Sequence, residues 1–297
     1  MADNSGKWKY TALQGFFAHY DGPTGPSHEA TTTPGLGLLP RTYPTDSDFD
    51  PDGTKQPWER FAFYLSHLNQ TAPPGTSYKL FYTARHGEGF HNVKEAEVGT
   101  EAWEAYWAKL EGDGKITWSD ACLTEKGTAQ AKEMHTFWAE SSSTLSLPLP
   151  KKHYASPLAR CLDTCALAFS DLPSPAPEFK PIIKEMARER LGVHTCDRRH
   201  PRSWIERNYG EVFSLEDGFA EEDELWRPDV RETLGEHAGR IARLLDGLWE
   251  DEEEEEIVSL TVHSGSILAM YEVVGHPEVR VAPGAVVPLF VKGERVV

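Results

Sequence analysis

Apolar positions along the chain fall into short runs and helical stripes. "PWERFAFYLSHLNQ" (57 to 70) spaces Trp58, Phe61, Tyr64 and Leu65 along one face and predicts a helix. "SYKLFYTA" (77 to 84) reads as a buried strand, and "LTEKGTAQAKEMHTFWAES" (123 to 141) opens on Thr124 as an N-cap before a strong helical pattern. From there strands and helices alternate. "KKHYASP" (151 to 157) is a strand, "LARCLDTCALAF" (158 to 169) a helix, and "PIIKEMARE" (181 to 189) is strand-like at its start. "VRETLGEHAGRIARLLDGLWEDEEEE" (230 to 255) is a long helix ending in an acidic run; "EIVSLTVHSG" (256 to 265) is a strand, "SILAMYEVVG" a helix, and "GAVVPLFVK" (284 to 292) a last strand. Strands alternating with helices predict an α/β fold with a mostly parallel central sheet.

Residues 1 to 76 are rich in Gly, Pro, Thr and Asp and read as an N-terminal extension packed on a core that begins later, within a single domain spanning 1–297. The serines near 141 to 146, the prolines of "LPSPAPEFKP" and the glutamates 252 to 256 read as loops or solvated helix ends.

Charge narrows the partners. With 30 basic and 47 acidic residues the formal net charge is −17, which argues against nucleic acid and anionic membrane as partners. An anionic ligand then needs a local positive pocket. The start of the chain shows no continuous apolar segment of the secretory kind and no run of eighteen apolar residues occurs anywhere, so a cytoplasmic protein is expected. Four scattered cysteines (Cys122, Cys161, Cys165, Cys196) do not make a disulfide framework. Nothing in the residues speaks to oligomeric state.

In parallel α/β sheets ligands bind at the carboxyl ends of strands. Four such exits carry charged or imidazole side chains: Arg85 and His86 in "FYTARHGEGFHNV", Arg160 in "ASPLAR", Arg188 and Glu189 in "ARE", and His263 in "TVHSG". Guanidinium forks match phosphate oxygens, a neutral histidine is a nucleophile able to carry a phosphoryl group, and one carboxyl group beside them could protonate a leaving oxygen.

At these residues the chain resembles the histidine phosphatase superfamily, the phosphoglycerate mutase-like proteins, and in particular their fungal branch. The likeness rests on "RHGEGFHN", "SPLARCLDT", "ARE" and "TVHSG" in the family's order and extends over roughly residues 10 to 293. It implies a three-layer sandwich with helices on both faces of the sheet, and makes residues 93–122 an insertion near the active site. It also implies that Arg85, Arg160, Asn92 and His263 bind phosphate, that His86 is phosphorylated, and that Glu189 is the general acid, with Glu185 and Glu206 as alternatives. No metal and no cofactor is implied. The expected activity is hydrolysis of a small phosphorylated or diphosphorylated metabolite through a phosphohistidine. The alternatives are a phosphoglycerate-type mutase and a non-catalytic phosphate-binding relative. Water is the default acceptor, which favours hydrolysis.

Three further features have plainer readings. "HTCDRRH" (194 to 200) lacks the paired spacing of a zinc site, so Arg198, Arg199 and His200 are expected to face an anion or close salt bridges. "KLEGDGKITWSD" (109 to 120) echoes a calcium loop but begins with Lys109 and ends with Asp120 instead of Glu, so it reads as a turn, with Trp103, Tyr106, Trp107 and Trp118 as packing residues. Glu88 places a negative charge beside the phosphate motif without an evident partner in the sequence.

Overall fold

A computed structural model of the protein describes residues 7–20, 29–173, 179–250 and 255–296. Its strands are β1 (Trp8–Ala12), β2 (Glu29–Ala30), β3 (Thr76–Arg85), β4 (Lys152–Ala155), β5 (Ile182–Ile183), β6 (Ser214–Leu215), β7 (Ile257–Val262), β8 (Arg280–Val281) and β9 (Val286–Arg295). Its helices are α1 (Asp46–Phe49), α2 (Pro57–Thr71), α3 (Phe90–Val98), α4 (Thr100–Ala105), α5 (Glu125–Leu145), α6 (Ala159–Phe169), α7 (Arg202–Tyr209), α8 (Leu234–Glu250) and α9 (Ser264–Val274).

One seven-stranded sheet runs in the order β1-β9-β3-β7-β4-β5-β6. From β3 to β6 every pairing is parallel, while β9 runs antiparallel to both β3 and β1. β2 and β8 form a separate parallel pair. The expected α/β architecture with a mostly parallel central sheet is therefore present.

β3 shows why its sequence is almost uninterruptedly apolar. Phe81 enters one core with Leu244, Leu248 and Trp249 of α8 and Ile267 and Met270 of α9. Leu80, Tyr82 and Ala84 enter the other, with Trp58 and Phe61 of α2, Trp138 of α5 and Leu162 of α6. A strand buried on both faces needs apolar residues at successive positions. Two cores separated by one sheet make three layers.

Several elements differ from the sequence expectation. "WKYTA" forms the edge strand β1, whose Tyr10 and Ala12 are buried and Lys9 and Thr11 exposed. β5 and β6 are two residues long, and the "PIIKEMARE" segment turns into a short 3-10 turn over Glu185–Ala187 directly after β5. α3, α4 and α7 occupy stretches without strong apolar periodicity. The serine run ends α5, closed by Ser146 in the left-handed region at φ 52°. Residues 174–178 of the proline-rich stretch and 251–254 of the acidic run lie outside the described residues. Among the described residues no helix is long and apolar enough to cross a membrane.

The strand ladders continue past the strand ends. His86 N donates to Val262 O at 3.0 Å, and Ser156 N to Thr261 O at 3.1 Å. These bonds fix the backbone where β3, β4 and β7 deliver their last side chains to one edge of the sheet.

Candidate active site

The loop after β3 is held on every side. Gly87 N donates to Thr164 Oγ1 at 3.0 Å, Glu88 N to Gln130 Oε1 at 2.8 Å, and Gly284 N to the carbonyls of Arg85 and His86. A Cβ on Gly87 would lie 2.3 Å from Gly127 O, and one on Gly127 2.1 Å from Glu88 O, so the loop and the start of α5 approach at a distance only glycine permits. Glu88 now has an explanation. Its carboxylate accepts from Thr124 Oγ1 at 2.9 Å and Lys126 Nζ at 2.8 Å, clamping the loop to the first turn of α5; the Lys126 bond holds its pKa below the ordinary range.

His86 is buried, with Nδ1 2.7 Å from Gly87 O. A carbonyl only accepts, so Nδ1 carries the proton and Nε2 presents a lone pair. Arg160 Nε donates to that Nε2 at 3.3 Å. Burial, then the charges of Arg160 and Arg85, hold the pKa of His86 well below the usual histidine value, so the ring is neutral.

Arg160, in the first turn of α6, also donates through Nη1 to Cys196 O at 2.6 Å and through Nη2 to Asp197 Oδ1 at 3.1 Å, each terminal nitrogen carrying a second N–H. Asp197 Oδ2 accepts from Arg231 at 2.9 Å. Burial alone would raise the pKa of Asp197, but Arg231 and Arg160 hold it below the ordinary range. Arg85 donates through Nη1 to Val281 O at 2.7 Å and meets Glu29 at 3.5 Å, while its buried Nε has no hydrogen-bond partner among the described residues.

His263, at the exit of β7, lies ring to ring 5.0 Å from His86. Its Nε2 is 2.8 Å from Ser156 Oγ and 3.4 Å from Cys161 Sγ. His91, whose ring is 5.5 Å from that of His86, has a buried Nδ1 without a hydrogen-bond partner among the described residues. Burial and then Arg160 hold both rings neutral.

Glu189 is pinned by two amides: Oε1 accepts from Arg190 N at 2.8 Å and Oε2 from Gly265 N at 2.9 Å. Its charge is among those acting on Arg85. The other two carboxylates considered as acids are spent elsewhere, Glu185 on Arg188 and Arg199 at 2.7 Å each and Glu206 on Arg202 at 2.8 Å. Asn92 sits in the first turn of α3, where Oδ1 accepts from Gly89 N at 3.0 Å. Arg85, His86, Arg160 and His263 are thus gathered at one sheet edge, with Glu189 beside the start of α9.

Ser156, Thr164, Asp197 and Asp120 are neighbours of this cluster that sequence reasoning did not single out as site residues. The "SP" at the exit of β4 was the available signal for Ser156. The other three are defined by partners far away in the chain.

Of the two metal look-alikes, the donor atoms of His194, Cys196 and Asp197 lie within 4.8 Å of one another. Asp197 is already saturated by two arginines, burial pushes the Cys196 thiol well up, and His194 Nε2 is 3.0 Å from Glu104. In the calcium-like loop Asp113 turns on its own chain, accepting from Lys115 N and Ile116 N, and pairs with Lys94. Glu111 pairs with Arg198. Trp103 and Trp118 form a small core with Ala108, Ala121 and Cys196, whereas Tyr106 is exposed.

A family model for the histidine phosphatase superfamily (branch 1) matches residues 81–280, and the chain belongs to that superfamily. Among its relatives, a protein named probable phosphoglycerate mutase from Arthroderma benhamiae is 42% identical over 286 residues, covering 96% of this chain and 84% of that protein. Probable phosphoglycerate mutase PMU1 from Saccharomyces cerevisiae is 35% identical over 229 residues, covering 68% and 74%. These bear out the resemblance to the fungal phosphoglycerate mutase-like branch. A crystal structure of phosphoglycerate mutase from Bacillus anthracis aligns with a TM-score of 0.45 at 16% identity, covering 73% of this chain and 89% of that one.

Proposed function

We propose that the protein is a cytosolic phosphatase that hydrolyses a small phosphorylated or diphosphorylated metabolite through a phosphohistidine at His86 Nε2. The observation that carries this reading is the bonding of the His86 ring: Nδ1–H donates to Gly87 O, and the remaining nitrogen faces Arg160. Nε2 attacks phosphorus as the bond to the ester or anhydride oxygen breaks, and Glu189 gives that oxygen a proton. The Gly87 carbonyl supports the positive charge gathering on the ring. In this reading Arg85, Arg160 and His263 neutralise the non-bridging oxygens, where phosphoryl transfer concentrates charge, with Asn92 in the first turn of α3 as a further phosphate ligand. Water then attacks the phosphohistidine, returns a proton to Glu189 and frees inorganic phosphate. The scheme uses no metal or cofactor. The unpaired state of all four cysteines suits the reducing cytosol.

The names of the relatives support a second reading, transfer of the same phosphoryl group to a hydroxyl of a bound phosphoglycerate. Incubation with an aryl phosphate, with and without a chelator, tests the first: His86-dependent, chelator-resistant phosphate release with an acid-labile phosphoenzyme is expected. Phosphoryl transfer between phosphoglycerate positions without phosphate release would favour the mutase. Release that persists in His86→Ala would overturn both.

A further inference from the structure

Asp120 closes the calcium-like loop in sequence, and the fold gives it another task. Its side chain is buried, and Oδ1 accepts from Ala159 N, the first amide of α6, at 2.9 Å. The residue at the cap position of α6, Leu158, supplies no side-chain bond, so this helix start is capped from 39 residues away. Asp120 also has φ 38°, in the left-handed region that non-glycine residues rarely adopt, which marks a conformation imposed by its surroundings. Its backbone is tied to the Asp197 region through a bond from Asp120 N to Thr195 O at 3.3 Å.

We propose that Asp120 is a positioning residue: its ionised carboxylate fixes the start of α6 and thereby seats the Arg160 guanidinium against His86, so that its protonation state shapes the acidic side of the activity profile. This inference rests on the phosphatase reading of the site. Ala159 and Arg160 are consecutive, so whatever anchors the Ala159 amide anchors the backbone from which Arg160 reaches Nε2 of His86. A negative acceptor at a helix N-terminus makes a stronger bond than a neutral one and complements the helix dipole. Asp120 Oδ2 is buried and lies 3.9 Å from His200 Nε2, with the backbone of His200 also acting on the carboxylate. The other titratable groups facing the carboxyl are Arg160 and Cys161 of α6, Arg188, Cys122, and Tyr209 of α7, which bonds Asp163. Burial outweighs the Ala159 and His200 backbone bonds and the arginine charges and lifts the Asp120 pKa to about 6, inside the working range. His86 is held neutral by burial and by the charges of Arg160 and Arg85, which push its pKa well below the ordinary histidine value.

The test compares wild type with Asp120→Asn, which keeps an oxygen acceptor for Ala159 but removes the titration. The ratio of their kcat/KM values for one aryl phosphate is taken at each pH from 4.5 to 8, which cancels the ionisation of the substrate. The ratio should be near one at the acid end and rise to a plateau of roughly five- to tenfold above pH 7, the scale of losing one charge-assisted contact. A ratio that is flat with pH overturns the proposal, because a purely structural cap would not titrate. Orthovanadate dissociation constants of the two proteins at pH 5 and 7.5 read the same ratio without turnover, and a pH-independent ratio there also overturns it. Failure of the phosphatase reading shows differently, as His86-independent release by the wild type.

Discussion

Arg160 Nε donates to His86 Nε2 across 3.3 Å, joining the residue after β3 to the helix after β4. Together with the Gly87 carbonyl on Nδ1, it fixes the tautomer, with the proton on Nδ1 and the lone pair on Nε2. Replacing His86 with Ala should abolish turnover while leaving the fold intact, because the ring stands at a strand exit and not in either apolar core. Residual aryl phosphatase activity above background in a folded His86→Ala protein would remove His86 from the nucleophile role. Arg160→Lys should keep the charge and lose the fork, lowering kcat by about 10²-fold or more; an unchanged kcat would mean that Arg160 only packs.

The acid is tested by leaving group. Glu189→Gln is expected to slow alkyl phosphates far more than aryl phosphates, whose leaving oxygens need little protonation. Equal slowing of both would move the role elsewhere. Asp197 is the carboxylate to examine in that case, but it is clamped by Arg160 and Arg231, so Asp197→Asn should mainly destabilise, by about 3 kcal/mol, through the buried Arg160 and the partly buried Arg231 losing their partner. Denaturant unfolding measures this, and a stable Asp197→Asn protein with a leaving-group effect would name it as the acid.

Gly265 gives an independent handle on Glu189. A Cβ there would sit 1.9 Å from Glu189 Oε1, so Gly265→Ala must push the carboxylate away, while the flexible end of the side chain can yield without breaking the core. The expected outcome is a Tm within a few degrees of wild type, equivalent to about 1 kcal/mol, and the same leaving-group signature as Glu189→Gln. A large loss of stability with normal activity would contradict this placement.

Stability and activity should respond to Asp120 in opposite directions. Its folded pKa of about 6 lies above the ordinary value of 3.8, so the folded state binds the extra proton between those values. Wild-type stability is therefore highest, with respect to this group, below pH 4 and falls by up to about 3 kcal/mol as pH rises through 6. Asp120→Asn should be more stable than wild type at pH 8 and indistinguishable at pH 4, as read by denaturant midpoints. A variant equally or less stable at pH 8 would mean that the ionised carboxylate is better solvated than its burial indicates.

The sequence made the central elements legible because β3 is apolar on both faces, β7 is apolar at every second position, and the two deliver Arg85, His86 and His263 at their ends, while Arg160 follows β4 in the first turn of the next helix. β1 escaped notice because Trp8, Tyr10 and Ala12 alternating with Lys9 and Thr11 look like a polar extension until β9 lies beside them. β5 and β6 are too short to carry any period. At the site, motifs at strand ends could be read locally. Glu88 looked anomalous because its partners Thr124 and Lys126 stand on the next long helix. Asp197 and Asp120 were likewise hidden in look-alike metal motifs, since an ion pair with Arg231 or a bond to Ala159 exists only after folding.

The segment from Glu185 to Glu232 crosses the active edge with little regular structure, yet it is anchored by forks. Arg188 is bonded to Glu185, Asp223 and the Asp197 carbonyl, Arg199 to Glu185 and to the carbonyls of Ala220 and Glu222, and Arg240 to Glu232 and to the carbonyls of Met186, Arg188 and Glu189. Apolar contacts tolerate sliding, because one methyl group replaces another at little cost; paired planar forks have a single seating. The wall of the site that carries Glu189 and Asp197 is thus a cast mould and not a flap, and a substrate meets a shape settled before it arrives.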